Sequence, residues 1–206
     1  MAENLAKIWG VVIVDSPIIS KNKFMKKYRA IGTNYQTQGF EMLPSMAEFY
    51  KRYGMTAHGG YDWAAVTGEG VFWDCDIDGV VLNTEIDSSG GLGVNVITES
   101  EEGIFKHRFW HLKDFYVKAG DKVQMGDLLG WADNTGASTG THLHEDMKEM
   151  VKDSNGGLVI KNYGNGTYGT IRYEKWFENK YVLETAKGKN TTFRRVLIEI
   201  IKRLLK

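Results

Sequence analysis

The chain has 206 residues, 26 Lys+Arg against 26 Asp+Glu, one Cys, and 24 Gly against 2 Pro. A single cysteine excludes an intramolecular disulfide framework and any cysteine-built zinc cluster, and the balanced charge supplies no global field for nucleic acid. At 42% hydrophobic and 25% charged the composition is globular, and glycine without a three-residue period points to tight turns between strands, not to collagen.

Along the chain, residues 8–14 form a short apolar run flanked by Glu3 and Asp15. It lacks a small-x-small cleavage site and reads as a strand, not a signal peptide. The basic patch at 21–27 is expected to be solvated surface. Within residues 41–53, one or two helical turns are expected after Pro44. From 71 to 147 the pattern is of short β-type runs broken by glycine, at 71–73, 80–82, 94–98, 105–112, 128–131 and 142–144, with no helix-length periodicity. Gly/Asn clusters at 153–157 and 163–169 are turns, the second expected to close a hairpin. The aromatic-rich stretch 173–183 is expected to pack back on the body.

The last 20 residues hold seven basic side chains and one acidic, which leaves the rest of the chain net acidic. Asn190 or Thr191 can cap a helix there. Phe193, Val196, Leu197, Ile200, Ile201 and Leu204 share one apolar arc, with Arg195, Glu199, Lys202 and Lys206 opposite. Three uses of such a helix stand open: packing on the body or on a second copy, contact with an anionic membrane surface through 190–206, or a short coiled coil. The organisation expected is an N-terminal extension over 1–34, one domain over 35–185 and a basic amphipathic C-terminal helix over 186–206.

All five histidines, His58, His107, His111, His142 and His144, fall within 87 residues of one another in the middle of the chain. On a strand His142 and His144 point to one face, whereas on a helix they diverge by ~200°. His58-Gly59-Gly60-Tyr61-Asp62 adds an imidazole and a carboxylate on a glycine-opened loop. Two imidazoles and a carboxylate, with one position left to water, make the ligand set of a catalytic zinc site. Taken singly, each of these residues is as well explained by the core or the surface. His107, four residues before His111, shares its face in a regular strand; a surface position is expected, with a substrate contact as the sharper reading.

With these residues in hand, His58-x-x-x-Asp62, Trp110-His111-Leu112 and Gly136-x-Ser138-Thr139-Gly140-x-His142-Leu143-His144 resemble the lysostaphin-type zinc endopeptidases, the M23 peptidase family. The resemblance covers about 35–144 and includes the 79–81 and 117–130 strand-turn patterns. It implies a mainly β, largely antiparallel fold with the zinc site in a groove over the sheet. It also implies His58, Asp62 and His144 as ligands of Zn2+, with His142 and His111 as catalytic, non-ligand histidines. Which of these two is the main base stays open; His142 beside the metal would move the proton, and His111 could hydrogen-bond the oxyanion. Where relatives continue with an aromatic and Glu, this chain has Glu145-Asp146-Met147. A charge thus falls at a position expected to be buried, which brings the end of the strand into question.

The substrate implied is a peptide bond of bacterial peptidoglycan, with glycyl-glycine and D-alanyl-diaminopimelate linkages both open. Tyr61, Trp63, Trp73, Trp110 and Trp131 are groove candidates, though aromatics at strand spacing more often fill the core. A carrier-domain reading of the 120–126 turn lacks the modifiable lysine context. An inactive wall-binding relative is the alternative, although every motif position is filled. The enzyme is expected to be made in the cytoplasm without a signal peptide and to act at the wall or periplasm after release, as an endolysin-like protein does.

Overall fold

The structure, a computed structural model, describes residues 24–186. The strand expected at 8–14 and the helix expected over 190–206 lie outside them. In chain order the elements are β1 (Lys27–Arg29), β2 (Gln36–Gln38), the short helix α1 (Ala47–Arg52), β3 (Tyr61–Ala64), β4 (Gly70–Phe72), β5 (Gly79–Asp87), β6 (Gly91–Ser100), β7 (Gly103–Phe115), β8 (Lys122–Val123), β9 (Leu128–Ala132), β10 (His142–Lys152), β11 (Leu158–Ile160), β12 (Thr170–Ile171), β13 (Phe177–Tyr181) and α2 (Val182–Ala186).

The main sheet runs β2-β3-β10-β7-β6-β5-β8, every pair antiparallel. Strands β5, β6 and β7 form a meander, which suits the short glycine-bearing turns read from the sequence. β11 and β12 both pair along the outer half of β10. The 153–157 cluster, not the 163–169 one, therefore closes a hairpin; the second cluster links two strands that share one neighbour. The fold is β-rich and largely antiparallel, as the resemblance implied; β1 and β13 form a separate parallel pair.

Alternation sorts the central strands into two faces. On β7, Phe105 and Phe109 are buried in the main core; on β10, Leu143 and Met147 join them. Lys106, Arg108, His142, His144, Asp146 and Lys148 face the other way, into a groove. A second cluster of Tyr28, Phe72, Met125, Leu128, Trp131, Val182 and Ala186 lies apart from the groove.

The basic patch is not uniformly solvated. Met25, Ala30 and Ile31 enter the main core, and Lys27 is 1% exposed. Its ammonium pairs with Asp74 and, at 3.3 Å, with Glu145; Tyr173 donates to the same Glu145 oxygen at 3.1 Å. This explains the charge at position 145. The buried carboxylate is neutralised by a lysine delivered from β1, so β10 continues to Lys152 instead of ending after His144.

Candidate metal centre and groove

The β3–β10 register sets Asp62 directly opposite His144 and Ala64 opposite His142. His58 reaches the same point from the loop before β3. Gly60 makes this approach possible: a Cβ there would lie 2.4 Å from His144 Cε1 and 2.8 Å from the Glu145 carbonyl oxygen. His58 Nε2, Asp62 Oδ1 and His144 Nδ1 converge, with separations of 3.0 Å between the imidazoles and of 3.1 and 2.9 Å to the carboxylate. Donors about a tetrahedral zinc at ~2.0–2.1 Å stand ~3.3 Å apart, so this triangle fits that ion with little adjustment. Two nitrogens and one oxygen, leaving a fourth position open, is also zinc's preferred chemistry in catalytic sites.

The other ring atoms are held in place. His58 Nδ1–H donates to the Gly39 carbonyl at 2.8 Å, which turns Nε2 toward the centre. The Nε2 of His144 faces Asp146 Oδ2 at 3.5 Å. Asp146 is itself gripped by Arg108, whose Nε reaches its two oxygens at 2.7 and 2.9 Å. A carboxylate behind a ligating histidine fixes its ring and raises its basicity.

The electrostatics follow from these contacts. Burial opposes the charged form of Asp62, but hydrogen bonds from His144 and His58 outweigh it and hold the carboxyl below the usual range. Burial likewise opposes a charged His144, yet Asp146 and Asp62 raise its imidazole to about 9. Burial also works against Asp146, and Arg108 and His144 keep it ionised.

Two further histidines stand beside this triangle. His142 Nδ1–H donates to the Gly140 carbonyl at 2.7 Å, and its Nε2 lies 3.6 Å from Asp62 Oδ1. His111 Nδ1–H donates to the Thr135 carbonyl at 2.7 Å, and the His111 and His142 ring centroids are 4.5 Å apart. Carbonyl oxygens only accept, so in each ring Nδ1 carries a hydrogen and Nε2 is the nitrogen left for the groove. Burial, followed by the neighbouring His144 and His142, pushes His111 down to about 4. His111 is therefore an acceptor until it gains a proton, and the oxyanion hydrogen bond expected of it requires that step first.

The backbone explains how His111 reaches the groove. It sits at φ 63°, where the β6–β7 and β7–β9 registers both shift. A non-glycine residue in this region is strained and is held by its surroundings; here the Gly90 carbonyl accepts from its N–H and Asp133 N–H donates to its carbonyl. The irregularity puts Trp110 and His111 on the same wall and breaks the alternation with His107. His107 is fully buried on the core face, its Nε2 3.0 Å from Thr98 Oγ1 and its ring edge-on to Trp73. It is neither a surface residue nor a substrate contact.

Of the aromatic candidates, Trp110 lines the groove, whereas Tyr61, Trp63 and Trp73 are core and Trp131 belongs to the second cluster. The groove encloses about 520 Å³, and its outer wall comes from residues the sequence left unassigned: Phe49, Tyr50 and Tyr53 of the α1 region, and Tyr163 and Tyr168 from the 161–169 connection. The i, i+4 pair Phe49 and Tyr53 was the available signal; Asp146 was signalled by extending the alternation of 142 and 144 by one step.

A groove over an antiparallel sheet, with three convergent metal donors and two further imidazoles beside them, defines a metal-dependent hydrolase class. Residues 56–159 match the model of peptidase family M23, and the chain belongs to that family. Among curated relatives, an uncharacterized metalloprotease of Buchnera aphidicola is 33% identical over 146 residues, 69% of this chain and 35% of the relative. Glycyl-glycine endopeptidase ALE-1 of Staphylococcus capitis is 36% identical over 110 residues, 50% of this chain and 30% of the relative. Peptidoglycan DD-endopeptidase ShyA of Vibrio cholerae is 34% identical over 90 residues, 44% of this chain and 20% of the relative. A solved M23 peptidase from Pseudomonas aeruginosa shares the fold at a TM-score of 0.50 and 19% identity, covering 82% of this chain and 57% of that one. The chain spans about a third or less of the length of these curated relatives.

Proposed function

We propose that this chain is a zinc-dependent endopeptidase that hydrolyses peptide bonds of bacterial peptidoglycan, acting at the cell wall. The observation that carries the reading is the meeting of the His58, Asp62 and His144 donors within 4.8 Å of one another, beside His142 and His111, whose Nδ1 atoms are held by backbone carbonyls. The similarity to a glycyl-glycine endopeptidase and to a peptidoglycan DD-endopeptidase supports the substrate class.

In this mechanism His58 Nε2, Asp62 Oδ1 and His144 Nδ1 would hold the ion, and Asp146 braces His144. A zinc ion held there would supply Lewis acidity, making water acidic near neutral pH and polarising the scissile carbonyl. His142 Nε2 takes the proton of the attacking water and hands it to the leaving amine. His111 Nε2 is the alternative acceptor for that same proton; when it, and not His142, holds the proton, its Nε2–H would donate to the oxyanion before the proton passes to the leaving amine. The aromatic wall and Trp110 exclude bulk water and orient the extended peptide along β10.

The test combines metal analysis with turbidity loss on purified sacculi. Asp62→Ala is expected to lose both metal and activity. His142→Ala is expected to retain metal and lose activity by ~10²–10⁴-fold. Normal lysis by His142→Ala would overturn the role given to it.

A further inference from the structure

Beyond the metal centre the groove floor carries an unusual charge arrangement. In the β7–β10 register Lys148 stands directly opposite Lys106, and Arg108 opposite Asp146 one step nearer the metal donors. All four side chains line the same groove as His142 and His144. Like charges directly across an antiparallel pair repel, and here a third cation, Arg108, adds to the repulsion. Burial, then Arg108, lowers Lys148 to about 8; burial and Arg108 also lower Lys106, against the pull of Glu85.

The carboxylates of the groove offset this only in part: Glu85 and Asp146 attract both lysines, but no hydrogen bond or ion pair joins either carboxylate to them among the described residues. Asp146 is engaged by Arg108. Asp87 accepts from the backbone N–H and hydroxyl of Ser89 and from Gly90 N–H. Glu85 accepts from Asn83 at 2.8 Å. Lys148 donates one of its three N–H bonds to the Tyr168 carbonyl at 2.6 Å, and Lys106 forms no hydrogen bond or ion pair among the described residues. Two ammonium groups therefore face the groove with donors to spare, on a rigid two-strand floor.

We propose that Lys106 and Lys148 form a carboxylate-binding subsite, and that the enzyme selects peptide cross-links bearing a free carboxylate over neutral ones such as oligoglycine or carboxamide-bearing peptides. This deepens the endopeptidase reading and rests on it for the identity of the substrate as a peptide. The subsite lies four residues along β10 from His144, ~13 Å of strand. An extended peptide lying beside β10 spans that distance, so the selected carboxylate belongs a few residues to one side of the scissile bond. An anion there takes up the N–H donors that Tyr168 leaves on Lys148 and those of Lys106, and reduces the repulsion among Lys106, Lys148 and Arg108.

The experiment uses a pair of synthetic cross-linked stem peptides identical except that the side-chain and terminal carboxylates of one are carboxamides. Dissociation constants are measured by calorimetry on the full chain stripped of metal, where hydrolysis does not interfere, and turnover is then measured on the zinc-loaded chain. Wild type is expected to bind the carboxylate form about tenfold more tightly or better, as charge-assisted hydrogen bonds require. Lys106→Met and Lys148→Met should each bring the ratio toward one, while Lys148→Arg keeps the preference. Lys106 is the more accessible of the two, so its variant reads the subsite if Lys148→Met disturbs the fold. Equal affinity of wild type for both peptides, or a preference unchanged in Lys106→Met, overturns the subsite. Absence of turnover on both peptides by the zinc-loaded enzyme, with the binding preference intact, overturns the endopeptidase reading instead.

Discussion

Asp146 Oδ2 lies 3.5 Å from His144 Nε2, while Asp62 Oδ1 lies 2.9 Å from Nδ1 of the same ring. One imidazole is thus held between a carboxylate that shares its metal-facing side and one that braces it from behind. Asp146 is 2% exposed and is oriented by Arg108. Asp146→Asn keeps the volume and removes the charge that makes His144 a better donor. Such outer partners are worth ~10–100-fold in metal affinity, and we expect a loss of that size in competition with a chromophoric chelator. Unchanged affinity would make Asp146 a purely structural partner of Arg108.

The same bracing predicts how metal binding depends on pH. With its imidazole at about 9 in the metal-free protein, His144 is protonated at neutral pH and carries a proton on the nitrogen the ion needs. Binding must release it. Asp62 is already ionised and releases none. Zinc affinity should therefore fall about tenfold for each unit of pH below ~9 and level off above it. Chelator competition across pH 7–10, corrected for the chelator's own protonation, checks this; a flat profile over 7–9 would mean that the ring is neutral there.

Gly60 is expected to be intolerant for a reason that its backbone conformation does not supply. A Cβ would meet His144 at 2.4 Å and the Glu145 carbonyl at 2.8 Å. Gly60→Ala must push the imbedded ring away from Asp62 or open the β3–β10 pairing. We expect zinc content to drop sharply in the purified protein, with a far-UV circular dichroism spectrum close to wild type. Full metal occupancy in Gly60→Ala would show that His144 does not need its present seat.

The residues that fold by local rules were the legible ones. Period-two alternation put His142 and His144 on one face, and the meander of β5, β6 and β7 followed from glycine turns between β-type runs. Reading failed where one residue changed the rule for its neighbours. The positive φ of His111 carried His111 itself to the groove and left His107 on the core face, and nothing in the residue type announces such a bulge. It failed also where a partner lay far along the chain. Glu145 resembles a misplaced charge until Lys27, 118 positions earlier, is seen against it. The outer groove wall depends on α1 and the 161–169 connection meeting over the sheet, and short-range pattern carries no information about that.

Lys27 offers the sharpest test of stability. One ammonium faces Asp74 and Glu145, and all three are essentially shielded from water. Burial opposes its charge, but the two carboxylates hold its pKa above the usual lysine value. Lys27→Met leaves two buried carboxylates without their cation, and removal of one partner from a buried pair costs ~3–5 kcal/mol. Denaturant unfolding should register a loss of that size. The loss is expected to shrink in the double variant Lys27→Met/Glu145→Gln. There only Asp74 remains charged, and burial, with Glu145 repelling it and Lys27 pulling against both, already pushes its carboxyl up to about 7, so it takes up a proton at small cost once the cation is gone. Because Glu145 borders His144 on β10, zinc content is measured alongside to separate stability from the metal centre. A double variant no more stable than Lys27→Met would mean that the lysine contributes through packing against Phe109 and Tyr173 and not through its charge.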